Sequence, residues 1–252
     1  MAGAETAGDL TVRTPSVTNP CPTVAHPVDV DTKDRIVHVL VIGANGGIGR
    51  LLVDRLLEAG HDVRAMIREE SQADALAEAG ATPVIGDLEG DLDAVFDVGD
   101  QAIDAVVFCA GSGGSTGADA TLRVDQHGAV RIIDRCVATG IDRYVQLSSI
   151  GADDPVSGPE SMRHYLAAMH ARDRILQASG LDATIVRPGG LTDDAATGEV
   201  RVGVPRLDER GSIPRADVAD ILATCLERPA TAGVVFEVVS GDEPIADAVG
   251  SL

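Results

Sequence analysis

The run Val39-Leu40-Val41-Ile42-Gly43-Ala44-Asn45-Gly46-Gly47-Ile48-Gly49 sets glycines at 43, 46 and 49 directly after an apolar stretch, and an amphipathic run from Arg50 to Ala59 follows. That order predicts a buried strand, a glycine turn and a helix. The chemistry it can do is to hold the pyrophosphate of a dinucleotide by its backbone. Gly43 permits the tight turn, Gly46 removes the side chain that would block the phosphates, and Gly49 lets the helix pack close to its strand. The helix end adds unpaired N–H groups and a partial positive charge. Asn45, Gly47 and Ile48 complete the turn as candidate cofactor contacts. The spacing is G-x-x-G-x-x-G rather than G-x-G-x-x-G. A plain structural turn would use the same glycines, but the strand before them and the helix after them favour the nucleotide site.

The residue that follows the second strand separates NADP from NAD. An acid there would bind the ribose 2′-hydroxyl, and an arginine would accept a 2′-phosphate. The strand His61–Ile67 runs into Arg68, with Glu69 one position later. Arg68 therefore predicts NADP over NAD through a charge-assisted clamp; a solvated surface arginine is the alternative. After the third strand, Asp87 and Leu88 are candidates to meet the adenine amino group, and an N-cap is the other reading of Asp87. Ala110, Gly111 and Ser112 end the fourth strand with small residues, so the backbone there can approach the cofactor.

These residues need a scaffold of alternating elements, and the hydrophobic pattern supplies one. Strands are expected at 36–42, 61–67, 82–85, 105–110, 143–147, 183–186 and 234–239. Helices are expected at 47–59, 70–79, 118–138, 161–179 and 215–227, with glycines closing several of them. A weak acidic helix is expected within 92–103. Repeated βα units of this length predict an α/β fold: a Rossmann-like, doubly wound parallel sheet with helices on both faces. Residues 1–34 carry four prolines and no period, and read as a disordered tail, or even as the product of an upstream start codon. Residues 35–252 read as one nucleotide-binding domain with a small carboxyl-terminal substrate lobe. The polar stretch 191–214 reads as a mobile lid.

Composition narrows the partners. Hydrophobic residues make up 44% of the chain but aromatics only 2%, so the core must be Val, Ile, Leu and Ala, and no aromatic platform for single-stranded nucleic acid is available. A net charge of −20 disfavours nucleic acid and anionic membranes. Lys33 is the single lysine. An acidic, lysine-poor surface resembles proteins of salt-loving archaea, since molar salt shortens the screening length to about 3 Å; a GC-rich genome gives a similar bias, and a thermal stability indifferent to KCl would favour it. Cys21, Cys109, Cys136 and Cys225 are scattered, so no metal site is expected. The segment lacks a secretory signal pattern and a membrane-length apolar run, which implies a cytoplasmic protein. No interface patch separates monomer from homodimer.

Taken together, Gly43–Gly49, Val63–Arg68, Gly86-Asp87-Leu88, Val124-Asp125, Val145–Ala152, Tyr165–Met169, Ser179–Gly190 and Ile213–Val218 give the chain a resemblance to the short-chain dehydrogenase/reductase superfamily. It is most similar to the atypical, single-domain NAD(P)H-binding branch, labelled NAD-dependent epimerase/dehydratase, which also resembles the nitrogen-metabolite-repression regulators. The resemblance implies a catalytic group in which Tyr165 moves a proton, Ser149 (or Ser148) polarises a substrate carbonyl and Asp125 stands where an asparagine is usual. It also implies a substrate-side loop at Arg187-Pro188-Gly189-Gly190, with Arg187 and Pro188 near the cofactor. The family's lysine, four residues beyond the tyrosine, is replaced by Met169. His170 and Arg172 are nearby cationic candidates to take its place. Three activities follow from the resemblance. The first is an NADP-dependent oxidoreductase acting on a small carbonyl, quinone or flavin. The second is a non-catalytic NADP(H)-binding redox sensor or assembly factor, and the third an epimerase or dehydratase. Quinone or flavin reduction needs little acid–base help, which favours the first.

Overall fold

The computed structural model describes Met1 and residues 37–99, 101–113 and 116–252. The tail expected at 1–34, with Lys33 and Cys21, lies outside the described residues, Met1 aside. Strand β1 is His38–Ile42 and feeds helix α1, Gly47–Glu58. Strand β2, Asp62–Ile67, leads through a short 3₁₀ turn at Glu70–Gln72 into α2, Ala73–Ala79, and then β3, Thr82–Ile85. Gly80 closes α2 in the left-handed region with φ +104°, a conformation that a Cβ would strain. Next come α3, Asp93–Phe96, and β4, Ala105–Phe108. Strand β5, Arg143–Leu147, precedes α6, Arg163–Ala178, and β6, Asp182–Pro188. Between β4 and β5 lies one helical path: α4, Ala118–Ala120, a π-helical segment Thr121–Gly128, and α5, Ala129–Thr139.

Among the described residues the main sheet has nine strands, and its first six assemble in the order β3-β2-β1-β4-β5-β6, all parallel. The chain winds outward from β1 in one direction and then restarts beside β1 with β4. The gap between the carboxyl ends of β1 and β4 is therefore a topological switch point, where open α/β sheets bind ligands. Alternation along the strands fills two cores. Val39 and Val41 pack with Leu52, Val53 and Leu56 of α1 on one face, while Leu40 and Ile42 pack with Ile132, Ile133 and Cys136 of α5 on the other.

The far edge departs from expectation. The stretch 191–214 is not a structureless lid. It contributes β7, Gly190–Thr192, β8, Glu199–Gly203, and β9, Ser212–Pro214. After α7, Arg215–Glu227, come β10, Val235–Ser240, β11, Glu243–Pro244, and α8, Ile245–Gly250. β8 lies antiparallel to β10 and β11 antiparallel to β8, so the parallel sheet carries an antiparallel margin. The cause is local: in Glu199-Val200-Arg201-Val202-Gly203 every second residue is a valine, and Val200 is fully buried. Among the described residues of the acidic stretch 92–103, only the four-residue α3 is helical.

Two of the thiols are wholly enclosed. Burial pushes Cys136 and Cys225 each up to about 12. An unfolded thiol titrates near 8.5, so the folded state favours the neutral form. The resulting stability is intact below that value and is lost as pH rises towards 12, by about 2 kcal/mol per thiol at pH 10. Urea unfolding at pH 8 and pH 10 should show this fall, and a Cys136→Ala, Cys225→Ala double variant should lose less between the two. An identical fall in the variant would assign it to other groups.

Candidate cofactor cleft

A cleft of about 360 Å³ opens over the carboxyl ends of β1 to β4. Gly43, Asn45, Gly46, Arg68, Asp87, Leu88, Ala110 and Gly111 line it, joined by Gln72, Cys109, Ser112, Thr116 and Val124. The glycine turn explains its shape. Gly43 has φ +88°, and a Cβ there would lie 2.6 Å from the Ala110 Cα, so β1 and the end of β4 close together only over glycine. A Cβ on Gly49 would lie 2.1 Å from the Gly43 carbonyl oxygen, which seats α1 directly on the turn. Gly46 is the N-cap of α1 in extended backbone, and no side chain caps that helix end. Gly46 and Gly47 are both exposed, so at these two positions α1 presents only backbone. An uncapped helix terminus beside bare glycines fits a diphosphate.

Arg68 leaves β2 at one end of the cleft with its side chain 74% exposed, its nearest carboxylate being Glu69 at 3.8 Å. Asp87 caps no helix. Its Oδ1 accepts the N–H of Glu89 at 2.9 Å and its carbonyl accepts the N–H of Gly90 at 3.0 Å, so it closes its own turn on the cleft wall. Ile48 and Gly49 are buried behind the wall in α1, whereas Gly47 is exposed at the first position of that helix.

At the other end the π-helical segment carries Asp125, whose Oδ2 accepts the N–H of Ser112 at 3.0 Å. Such widened turns concentrate where a helix must re-aim a side chain. Beneath it lies a buried polar network. Asp173 of α6 is fully buried and accepts from Gln146 Nε2 at 2.8 Å, Ser148 Oγ at 2.8 Å, and Arg187 Nε and Nη2 at 3.0 and 2.9 Å. Ser148 is thus taken up by this network, whereas half-buried Ser149 keeps a 3.3 Å bond to the Ile150 carbonyl. Neither Arg187 nor Pro188 lies on the cleft. The expected loop is strand instead: β6 extends through Pro188, whose carbonyl accepts the Ile150 N–H at 3.0 Å, and Arg187 is locked on Asp173.

Tyr165 is half-buried on α6 against Ala152, Ala168 and Met169. Burial raises its phenol above the usual value, the Arg172 guanidinium draws it back down, and the Asp125 and Asp173 carboxylates push it up. Met169 is completely buried in that apolar cluster, so this position holds packing, not charge. His164 is exposed, and His170 Nδ1 meets the Ala152 carbonyl at 2.7 Å. Arg172 is the cation at the centre: it is 2% exposed, gives Nη1 to the Asp125 carbonyl at 3.1 Å and Nη2 to the Leu147 carbonyl, and lies over the Phe108 ring.

Residues 43–229 match the model of a family described as NAD(P)H-binding. The chain belongs to this NAD(P)H-binding family. Its relatives include an uncharacterized sugar epimerase, YhfK, of Bacillus subtilis, 41% identical over 85% of this chain and 99% of the relative. Among solved structures, a putative NAD-dependent epimerase/dehydratase from Bacillus halodurans superposes with a TM-score of 0.82 at 45% identity, covering 86% of this chain and all of that one. ChuY, an anaerobillin reductase from Escherichia coli O157:H7, superposes with a TM-score of 0.70 at 27% identity, over 82% of this chain and 98% of ChuY. The atypical short-chain dehydrogenase/reductase assignment and the Rossmann-like fold therefore hold. In this NAD(P)H-binding chain, no described helix is long and apolar enough to cross a membrane, and the described residues contain no cluster of three metal-ligating side chains.

Several members of the site escaped the sequence. Thr116 follows a Gly/Ser-rich sequence whose composition marks a turn but no contact. Asp173 sits in a helix pattern where charged residues ordinarily face solvent, as does Arg172, which the sequence did offer as a cation near Tyr165 but not as a buried one. Their burial follows from pairing with β5 and β6, far away in sequence.

Proposed function

We propose that the protein is an NADP(H)-dependent oxidoreductase acting on a small carbonyl, quinone or flavin, working in the cytoplasm as a monomer or homodimer. The observation that carries the cofactor choice is Arg68, an exposed cation on the cleft wall directly after β2 with no acid at the strand end. In this reading Gly46, Gly47 and the α1 terminus hold the pyrophosphate, Arg68 the 2′-phosphate, and Asp87 and Leu88 the adenine. Gly43, Gly49, Ala110 and Gly111 keep the backbone close enough for these contacts.

A bound nicotinamide supplies a hydride donor or acceptor. The chain's own residues do the rest. Tyr165 holds a proton available to a substrate oxygen, and Ser149 donates a hydrogen bond to that oxygen. Asp125 fixes the Ser112 backbone beside the cleft. With its phenol raised, Tyr165 stays protonated through neutral pH and is a poor base there, which suits reduction better than oxidation. The reductase name borne by ChuY agrees with this direction. The epimerase names borne by the other two relatives leave the substrate class of this chain open to test.

Met169 favours a second reading, a non-catalytic NADP(H)-binding sensor or assembly factor, because the site lacks a cation one turn from Tyr165. The test has two parts. NADPH oxidation with a panel of quinones, flavins and aldehydes should show turnover with one class; tight NADPH binding without any turnover would favour the sensor. Arg68→Glu should weaken NADPH binding about tenfold or more and leave NADH nearly unchanged. Equal losses for the two coenzymes would remove Arg68 from the 2′-phosphate.

A further inference from the structure

A second arginine stands at the glycine turn, and it comes from the opposite end of the chain. Arg215 is the first residue of α7, and α7 packs along α1. Its Cδ and Nε lie 3.2 and 3.5 Å from the point where a Cβ on Gly47 would stand, and Gly47 is the first residue of α1. The amino ends of a 12-residue and a 13-residue helix therefore meet at this one side chain. Each end carries a partial positive charge, so a cation at the first position of α7 is electrostatically out of place.

The surrounding charges do little to offset it. Asp217, in the first turn of α7, is fully buried and already accepts from the Thr197 N–H and hydroxyl and from the Gly198 N–H. Arg50 adds another cation, its Nε held by Asn45 Oδ1 at 2.8 Å. Arg215 Nη1 does reach Asp193 Oδ1 at 2.6 Å, but the Asp193 side chain is 91% exposed and contributes little. Arg215 thus stands, on a chain of net charge −20, directly beside a glycine that has no side chain of its own.

We propose that Arg215 is a pyrophosphate-contacting residue of the cofactor cleft, and that Asp193 competes with the diphosphate for its guanidinium. The inference rests on the cofactor reading of the cleft and extends the site to α7 and to the segment just after β7. Bare glycine at 47 gives the arginine its place: any side chain there would stand against the Arg215 stem.

Calorimetry at one fixed salt concentration tests it with two probes. ADP-ribose carries the diphosphate without nicotinamide, and adenosine 2′-monophosphate carries the 2′-phosphate without a diphosphate. Arg215→Gln should weaken ADP-ribose binding about tenfold or more, and Asp193→Asn should strengthen it about two- to fivefold. Neither variant should change binding of adenosine 2′-monophosphate. Unchanged ADP-ribose affinity in either variant overturns the proposal, as does an equal loss of both probes in Arg215→Gln. If Arg215→Gln does not fold, Asp193→Asn decides alone, since damage cannot produce tighter binding. A wild-type chain that binds neither probe would instead overturn the cofactor reading itself.

Discussion

Gly49→Ala should destabilise the protein by about 3 kcal/mol and abolish coenzyme binding together. The added methyl would lie 2.1 Å from the Gly43 carbonyl oxygen and 2.9 Å from its carbon. Both are backbone atoms of the tight turn, so no side chain can swing aside. Helix α1 would have to lift from β1, and with it Leu52, Val53 and Leu56, which fill one of the two cores. The same lift would move the Gly46 and Gly47 backbone away from the cleft. Gly117→Ala is the control: its Cβ would meet nothing within 4 Å and its φ is −79°, so only the loss of a favourable N-cap residue, about 1 kcal/mol or less, is expected. Urea unfolding and NADPH titration of the two variants check this. A Gly49→Ala protein as stable and as tightly binding as the control would mean that the helix does not rest on the turn.

The pyrophosphate end of the cleft was legible in the sequence because its determinants are local. Gly43, Gly46 and Gly49 act through backbone geometry within one turn, and Arg68 follows its strand directly. The same locality made the first six strands readable, since each is a short apolar run between turn residues. The margin of the sheet was less so. Val200 and Val202 give β8 only two apolar positions, and Glu243-Pro244 is two exposed residues with no alternation to read, so β11 exists through pairing with β8 and not through its own pattern. The π-helical segment around Asp125 also leaves no trace in spacing, because Leu122 and Val124 are its only large apolar residues and set no phase to read over eight residues. The substrate end depends on contacts between distant residues. Arg187 was read as a loop residue because it precedes Pro188-Gly189-Gly190. It is instead the last inward-facing charge of β6, and its partner Asp173 lies on a different element, 14 residues earlier. No periodicity argument can pair them.

That pair sets the second large effect. Arg187→Met should cost about 3–5 kcal/mol, because it would leave the Asp173 carboxylate enclosed with only the Gln146 amide and the Ser148 hydroxyl as donors. The side chains of Asp173 and Arg187 are 0% and 6% exposed, so water cannot take the arginine's place without opening the interface between α6 and the sheet. Asp173→Asn in the Arg187→Met background should then recover part of the loss, since the buried charge is gone while the amide oxygen can still accept from Ser148. A double-mutant cycle by urea unfolding measures the coupling, expected to be favourable by more than about 1 kcal/mol. Additive losses would show that the two side chains act independently. The functional consequence follows from what the network joins. Ser148 precedes Ser149 at the end of β5, and Asp173 lies two turns beyond Tyr165 on α6, so the pair fixes the two elements that carry the proposed hydroxyl and phenol. The single variant should therefore lose turnover beyond its loss of folded protein, while NADPH affinity, set at the distant glycine turn, stays close to that of the parent chain.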